Sequence, residues 1–67
     1  VDIKKQFGLN VKKKRLELGL SQEKLAHIAQ IDRTYLPGIE KGERNVSIVV
    51  ASRIADALNV DFITLFQ

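Results

Sequence analysis

Few residues in this chain have the types and spacing that covalent chemistry needs. His27 is the only histidine and there is no cysteine. A zinc site would have to be built from carboxylates at unsuitable spacings. No serine stands in a pattern with a base and an orienting acid. Glu40 and Glu43 are three apart, but paired carboxylates near a helix end mean little without a cleft. The glycines at 8, 19, 38 and 42 occur singly and form no phosphate-cradling loop. A chain of 67 residues also has little room for a substrate pocket. These residues argue against an enzyme, and no cofactor, metal or small-molecule ligand is expected. What remains is non-covalent chemistry. The formal charge is +3, from 11 basic and 8 acidic residues, a modest excess compatible with a polyanion partner. It is uneven: seven basic residues stand against three acidic ones through Lys24, whereas from Ser47 onward only Arg53 faces Asp56 and Asp61.

The elements that must position such groups read as helices. From Asp2 to Leu18 the apolar positions Ile3, Phe7, Val11 and Leu18 form a helical stripe. Lys14 falls where the stripe wants another apolar residue, so its stem is expected along the core edge. Lys12 to Arg15 form one basic run, but four consecutive helix positions point around the whole circumference and cannot share one ligand. Gly8 weakens the pattern and places a candidate helix start near it, and Gly19 ends the segment. Ser21 is a good N-cap for a second segment, Gln22 to Ala29, with Leu25, Ala26 and Ile28 on its apolar side and His27 at an exposed edge. The small Ala26 suits a close crossing of two helices. A third segment starts at or just after Asp32 and runs to about Lys41, with Leu36 and Ile39 toward the core. Capped at Asp32, this helix would hold Pro37 past its first turn, at a cost of about 3 kcal/mol. The alternatives are a local distortion or a shorter helix, and Pro37→Ser is expected to raise thermal stability.

Ser47 caps a fourth segment, Ile48 to Leu58, with Ile48, Ala51, Ile54, Ala55 and Leu58 in a stripe. Asn59 can take the left-handed conformation at its end. Asp61 is a candidate cap for a last short helix carrying Phe62, Ile63, Leu65 and Phe66, a tail too apolar to be a free terminus. The whole is expected to be an all-α, compact five-helix domain spanning 1–67. So small a chain buries only about 60% of its unfolded surface, and oligomerisation would add to it. No apolar run approaches the roughly 18 residues of a membrane span. The charged N-terminal stretch does not resemble a signal peptide, and the missing initiator methionine fits processing or trimming. With no cysteine, a cytoplasmic location is expected. Two short amphipathic segments meeting at a tight joint, Ser21 to Arg44, match a helix-turn-helix, which presents its second helix to the major groove of DNA.

GLSQEKLA at 19–26, IDRTYLPGIEKGERNVS at 31–47 and RIADALNV at 53–60 together carry a resemblance. The chain resembles the helix-turn-helix family of the phage Cro and repressor proteins, with their lambda-repressor-like fold. Within it the likeness is to the controller proteins of restriction-modification systems, over roughly Phe7 to Phe66. The resemblance implies a homodimer on double-stranded DNA with a near-palindromic operator. It implies base contacts from Arg33, Thr34 and Pro37, and phosphate contacts from Gln22, Tyr35, Arg44 and Asn45. It also implies a salt bridge between Arg15 and Glu40. The dimer-interface candidates are Val49, Val50, Phe62, Ile63, Leu65 and Phe66. Gln30 stands in the turn where such proteins usually carry glycine, and would be strained at positive φ. An antitoxin-type or other protein-binding module on the same fold, or a phage-type repressor, is the alternative.

Overall fold

The computed structural model describes residues 2–67 and contains four α-helices followed by a 3-10 helix: α1 (Ile3–Glu17), α2 (Gln22–Ala29), α3 (Tyr35–Glu40), α4 (Ile48–Leu58) and the terminal turn Phe62–Phe66. The fifth helix expected from the sequence is thus a 3-10 helix. Asp61 gives it no side-chain cap. Among the described residues there is no strand.

Local chemistry sets the helix boundaries. The Asp2 carboxylate accepts hydrogen bonds from the Lys4 and Lys5 amides, so α1 starts at Ile3 and runs through Gly8 rather than beginning near it. Ser21 accepts from the Lys24 amide and Ser47 from the Val50 amide, which satisfies one orphan donor at each start. All four α-helices stop in the same way. The residue after the last turn is left-handed (Gly19, Gln30, Gly42 and Asn59), and paired backbone bonds close over the helix end, for example Ile31 N–H to Ala26 O and Gln30 N–H to His27 O. Gln30, at φ 59° and ψ 44°, therefore holds the position that glycine favours.

The core is built from Phe7, Val11, Leu25, Leu36, Ile39, Ile54, Leu58 and Leu65, with Ala26, Ala29, Ala51 and Ala55 where helices approach closely. α1 packs chiefly on α3 and on the 3-10 helix, and α2 on α4. The buried face of α1 is Phe7, Gly8, Val11 and Arg15. The stripe read from the sequence thus holds at Phe7 and Val11 and fails at its ends. Leu18 is 47% exposed and Ile3 59%, because Arg15 takes the next inward position and Leu18 lies beyond the last turn. Lys14 pairs with Glu17 at 3.8 Å. Ile28 and Ile48 are likewise exposed.

The crossing between α1 and α3 gives Gly8 a role different from the one its place in the sequence suggests. Gly8 faces the backbone at the C-terminal end of α3. A Cβ there would lie 2.9 Å from the Glu40 carbonyl oxygen and closer still to that of Ile39. Gly8 is therefore a site of close helix approach that fixes where α3 can sit, rather than a weak point in α1. Asn10, two residues on, donates through Nδ2 to the Leu65 and Gln67 carbonyls at 2.9 Å each and ties the tail to α1.

Candidate nucleic-acid interface

α3 is short and starts later than the sequence suggests. The Asp32 carboxylate accepts from the Thr34 amide at 2.9 Å and the Thr34 hydroxyl at 2.8 Å, and the Asp32 carbonyl accepts from the Tyr35 amide. Asp32 thus organises a turn over residues 32–34, and the helix begins at Tyr35. Pro37 is then the third helical residue. Amides of the first turn have no partner within the helix, so a missing N–H there sacrifices no bond. The expected loss of about 3 kcal/mol belongs to a helix interior and does not apply here. Two bonds from Thr34, amide first and hydroxyl second, hold the Asp32 carboxyl below its ordinary pKa.

Leu36 and Ile39 anchor the inner side of α3. Arg33, Thr34, Pro37, Arg44 and Asn45 are exposed around its outer side and the loop that follows. The Arg44 guanidinium lies over the Tyr35 ring, 4.4 Å from its centroid, an arrangement that restrains both side chains. Arg33 donates through Nη1 to Glu23 Oε2 at 2.9 Å. Both partners are more than two-thirds exposed, so this pair contributes little to stability and opens readily. Nothing in the sequence pattern singles out Glu23 as the partner of Arg33, because ten residues and a turn separate them.

Behind α3 lies a buried polar cluster. Arg15 donates to Glu40 twice, Nε to Oε2 at 2.7 Å and Nη2 to Oε1 at 3.0 Å, and its Nη1 donates to the Leu20 carbonyl at 2.7 Å. The two side chains are only 9% and 4% exposed. The bond to Glu40 keeps the guanidinium pKa raised, against the opposing effect of burial. Gln22 joins the cluster by donating Nε2 to Glu40 Oε1 at 3.0 Å, so its side chain is engaged with protein as well as available at the surface. Among the described residues, no buried side-chain polar atom lacks a partner.

The expected interface residues at the far end divide into three groups. Val49, Phe62 and Ile63 are exposed, and Ile48 beside them is 78% exposed. Leu65 is 2% exposed and belongs to the chain's own core, which removes it from a contact surface. Val50 and Phe66 are half-buried against that core, Phe66 with its ring 5.0 Å from that of Phe7. Among the described residues, no group of acidic, histidine or cysteine side chains could hold a metal ion, and no helix is long and apolar enough to cross a membrane.

A capped α2, a tight turn through a left-handed residue, and a short α3 with a buried inner side and a polar outer side define a helix-turn-helix protein. The chain belongs to the helix-turn-helix family, whose model matches residues 11–65. Within it, the chain is similar to restriction-modification control proteins. It is 46% identical over 67 residues to control protein C.MunI of a Mycoplasma species, covering 98% of this chain and 90% of that protein. With control protein C.BamHI of Bacillus amyloliquefaciens it shares 43% over 60 residues, covering 88% and 74%. The crystal structure of the restriction-modification controller protein C.AhdI from Aeromonas hydrophila matches with a TM-score of 0.89 at 42% identity, over 92% of this chain and 94% of that one. The C.Esp1396I controller protein, solved as a tetramer in complex with its natural 35-base-pair operator, matches with a TM-score of 0.86 at 38% identity, over 96% and 84%.

Proposed function

We propose that this chain is a cytoplasmic, sequence-specific regulator of transcription. It acts as one DNA-binding domain per subunit, and as a homodimer on a near-palindromic operator that controls restriction-modification genes. The observation that carries this reading is the build of α3. Its inner side is locked by Leu36, Ile39 and the Glu40–Arg15 pair, while its outer side offers donors and a stacked guanidinium to a groove. Likeness to control proteins, one of them solved on its operator, supports the same reading.

In this mechanism Gln22, Tyr35, Arg44 and Asn45 hold the backbone, and Arg33, Thr34 and Pro37 meet base edges. Arg33 would exchange Glu23 for the O6 and N7 of a guanine. The Thr34 hydroxyl, already donating to Asp32, keeps its lone pairs for a base amine and its methyl for a thymine. The second copy would cover Val49, Phe62 and Ile63, with the partly exposed edges of Val50 and Phe66. A two-fold dimer then sets half-sites about one helical turn, roughly 34 Å, apart. The principal extents of one subunit, 29 × 22 × 20 Å, suit that separation.

Selection of binding sites from random duplex DNA tests the proposal. A two-fold symmetric motif is the expected outcome, and Arg33→Ala should then lose preference at one base step. No enrichment would reject specific regulation. Equal weakening of Arg33→Ala on every duplex would make Arg33 a phosphate contact.

A further inference from the structure

Glu40 sits where three helices meet, and its two oxygens accept three hydrogen bonds: two from Arg15 on α1 and one from Gln22 on α2. Gln22 is the first residue of α2 and is half-buried. Its terminal amide could sit either way round, with nitrogen or oxygen toward Glu40. A carboxylate only accepts, so it selects the orientation with the nitrogen inward. That same nitrogen carries a second hydrogen, directed away from the first and not used by any protein acceptor among the described residues. The reversed amide would offer its carbonyl oxygen in that place, which a phosphate repels. We infer that Glu40 is a positioning residue for DNA binding: it fixes the Gln22 amide so that an N–H faces the phosphate. The inference rests on the proposed reading of Gln22 as a phosphate contact. It adds that this contact is set by the core of the domain, through the same carboxylate that braces α3.

Removing Glu40 alone would leave Arg15 buried without a partner and endanger folding. The test therefore uses Arg15→Met together with Glu40→Met, which replaces the ion pair by apolar side chains of comparable volume, a change that buried pairs often tolerate. The paired variant is compared with Gln22→Ala and with the triple variant on the duplex recovered by selection, over a range of salt concentrations, with folding checked by circular dichroism. Gln22→Ala should weaken binding about tenfold at every salt concentration while leaving the slope of log K against log salt nearly unchanged, because the amide is neutral and releases no counterion. With Gln22 present, the paired variant should lose most of that tenfold. In the Gln22→Ala background the same pair of changes should weaken binding by a clearly smaller factor, because the group that Glu40 positions is already gone and only its bracing of α3 is lost. Equal weakening in both backgrounds would mean a merely structural role and overturn the inference. So would an unchanged affinity of Gln22→Ala, which would leave the reading of α3 intact. Wild-type chain that showed no salt-dependent binding would overturn both.

Discussion

Replacement of Gly8 by alanine sets helix propensity against tertiary packing. On an isolated helix the change stabilises, by about 0.8–1.0 kcal/mol. In this fold the new Cβ meets two backbone oxygens, those of Ile39 and Glu40, with the Glu40 oxygen at 2.9 Å and the Ile39 oxygen nearer. Neither oxygen can swing aside as a side chain would. Restoring an ordinary carbon–oxygen contact of about 3.3 Å requires α1 and α3 to part by about 1 Å. Such overpacking costs typically about 1–3 kcal/mol, and here it should also strain the Arg15–Glu40 bonds that span the same crossing. Net destabilisation of about 1–2 kcal/mol follows, which in a domain of this size lowers the melting temperature by roughly 5–15 °C. Thermal unfolding followed by circular dichroism reads the effect. Gly19→Ala is the control, since a Cβ there meets nothing within 4 Å and only the left-handed backbone is strained. Because α3 moves, Gly8→Ala should also weaken DNA binding at temperatures where it remains folded, and Gly19→Ala should not. A melting temperature for Gly8→Ala at or above that of wild type would refute the claim that this glycine sets the position of α3.

Three further outcomes are expected. Gln30→Gly relieves a left-handed glutamine while keeping the backbone bonds of the turn, and should raise stability by about 0.5–1 kcal/mol in thermal or urea unfolding. Pro37→Ser, at the third position of α3, should shift the melting temperature by less than about 4 °C in either direction; a large rise would show that the proline strains the helix after all. Asp32 has a lowered folded-state pKa, so its contribution is present above the unfolded carboxylate value, near 3.9, and is lost as pH falls through the lower folded value. Asp32→Asn should accordingly flatten the pH dependence of stability below about pH 4, and an unchanged acid limb would remove Asp32 from the explanation.

Much of the fold is legible in the sequence because its signals are local. Ser21 and Ser47 cap helices in the expected way, and Asn59 ends one in the left-handed conformation. The periodicity of Ala51, Ile54, Ala55 and Leu58 marks the buried face of α4. Arg15 and Glu40 are paired through resemblance rather than through pattern, since 25 residues separate them. The start of α3 is not legible because Asp32 caps a turn rather than a helix, two arrangements with the same residue and different backbone. Leu18 and Ile48 fit a stripe yet lie outside the core, for periodicity gives the face of a helix and not where its neighbour ends.

By itself, then, the sequence determined that the chain is helical and where most helices begin and end. Those properties depend on each residue and its few neighbours along the chain. Only the tertiary structure decided that Gly8 is a helix crossing, that Leu65 belongs to the interior while Ile63 does not, and that Glu40 is shared between Arg15 and Gln22. Each of these is a distance between segments remote in sequence. Such distances are set when the helices share one close-packed core, in which a single added carbon or an unpaired polar atom is costly.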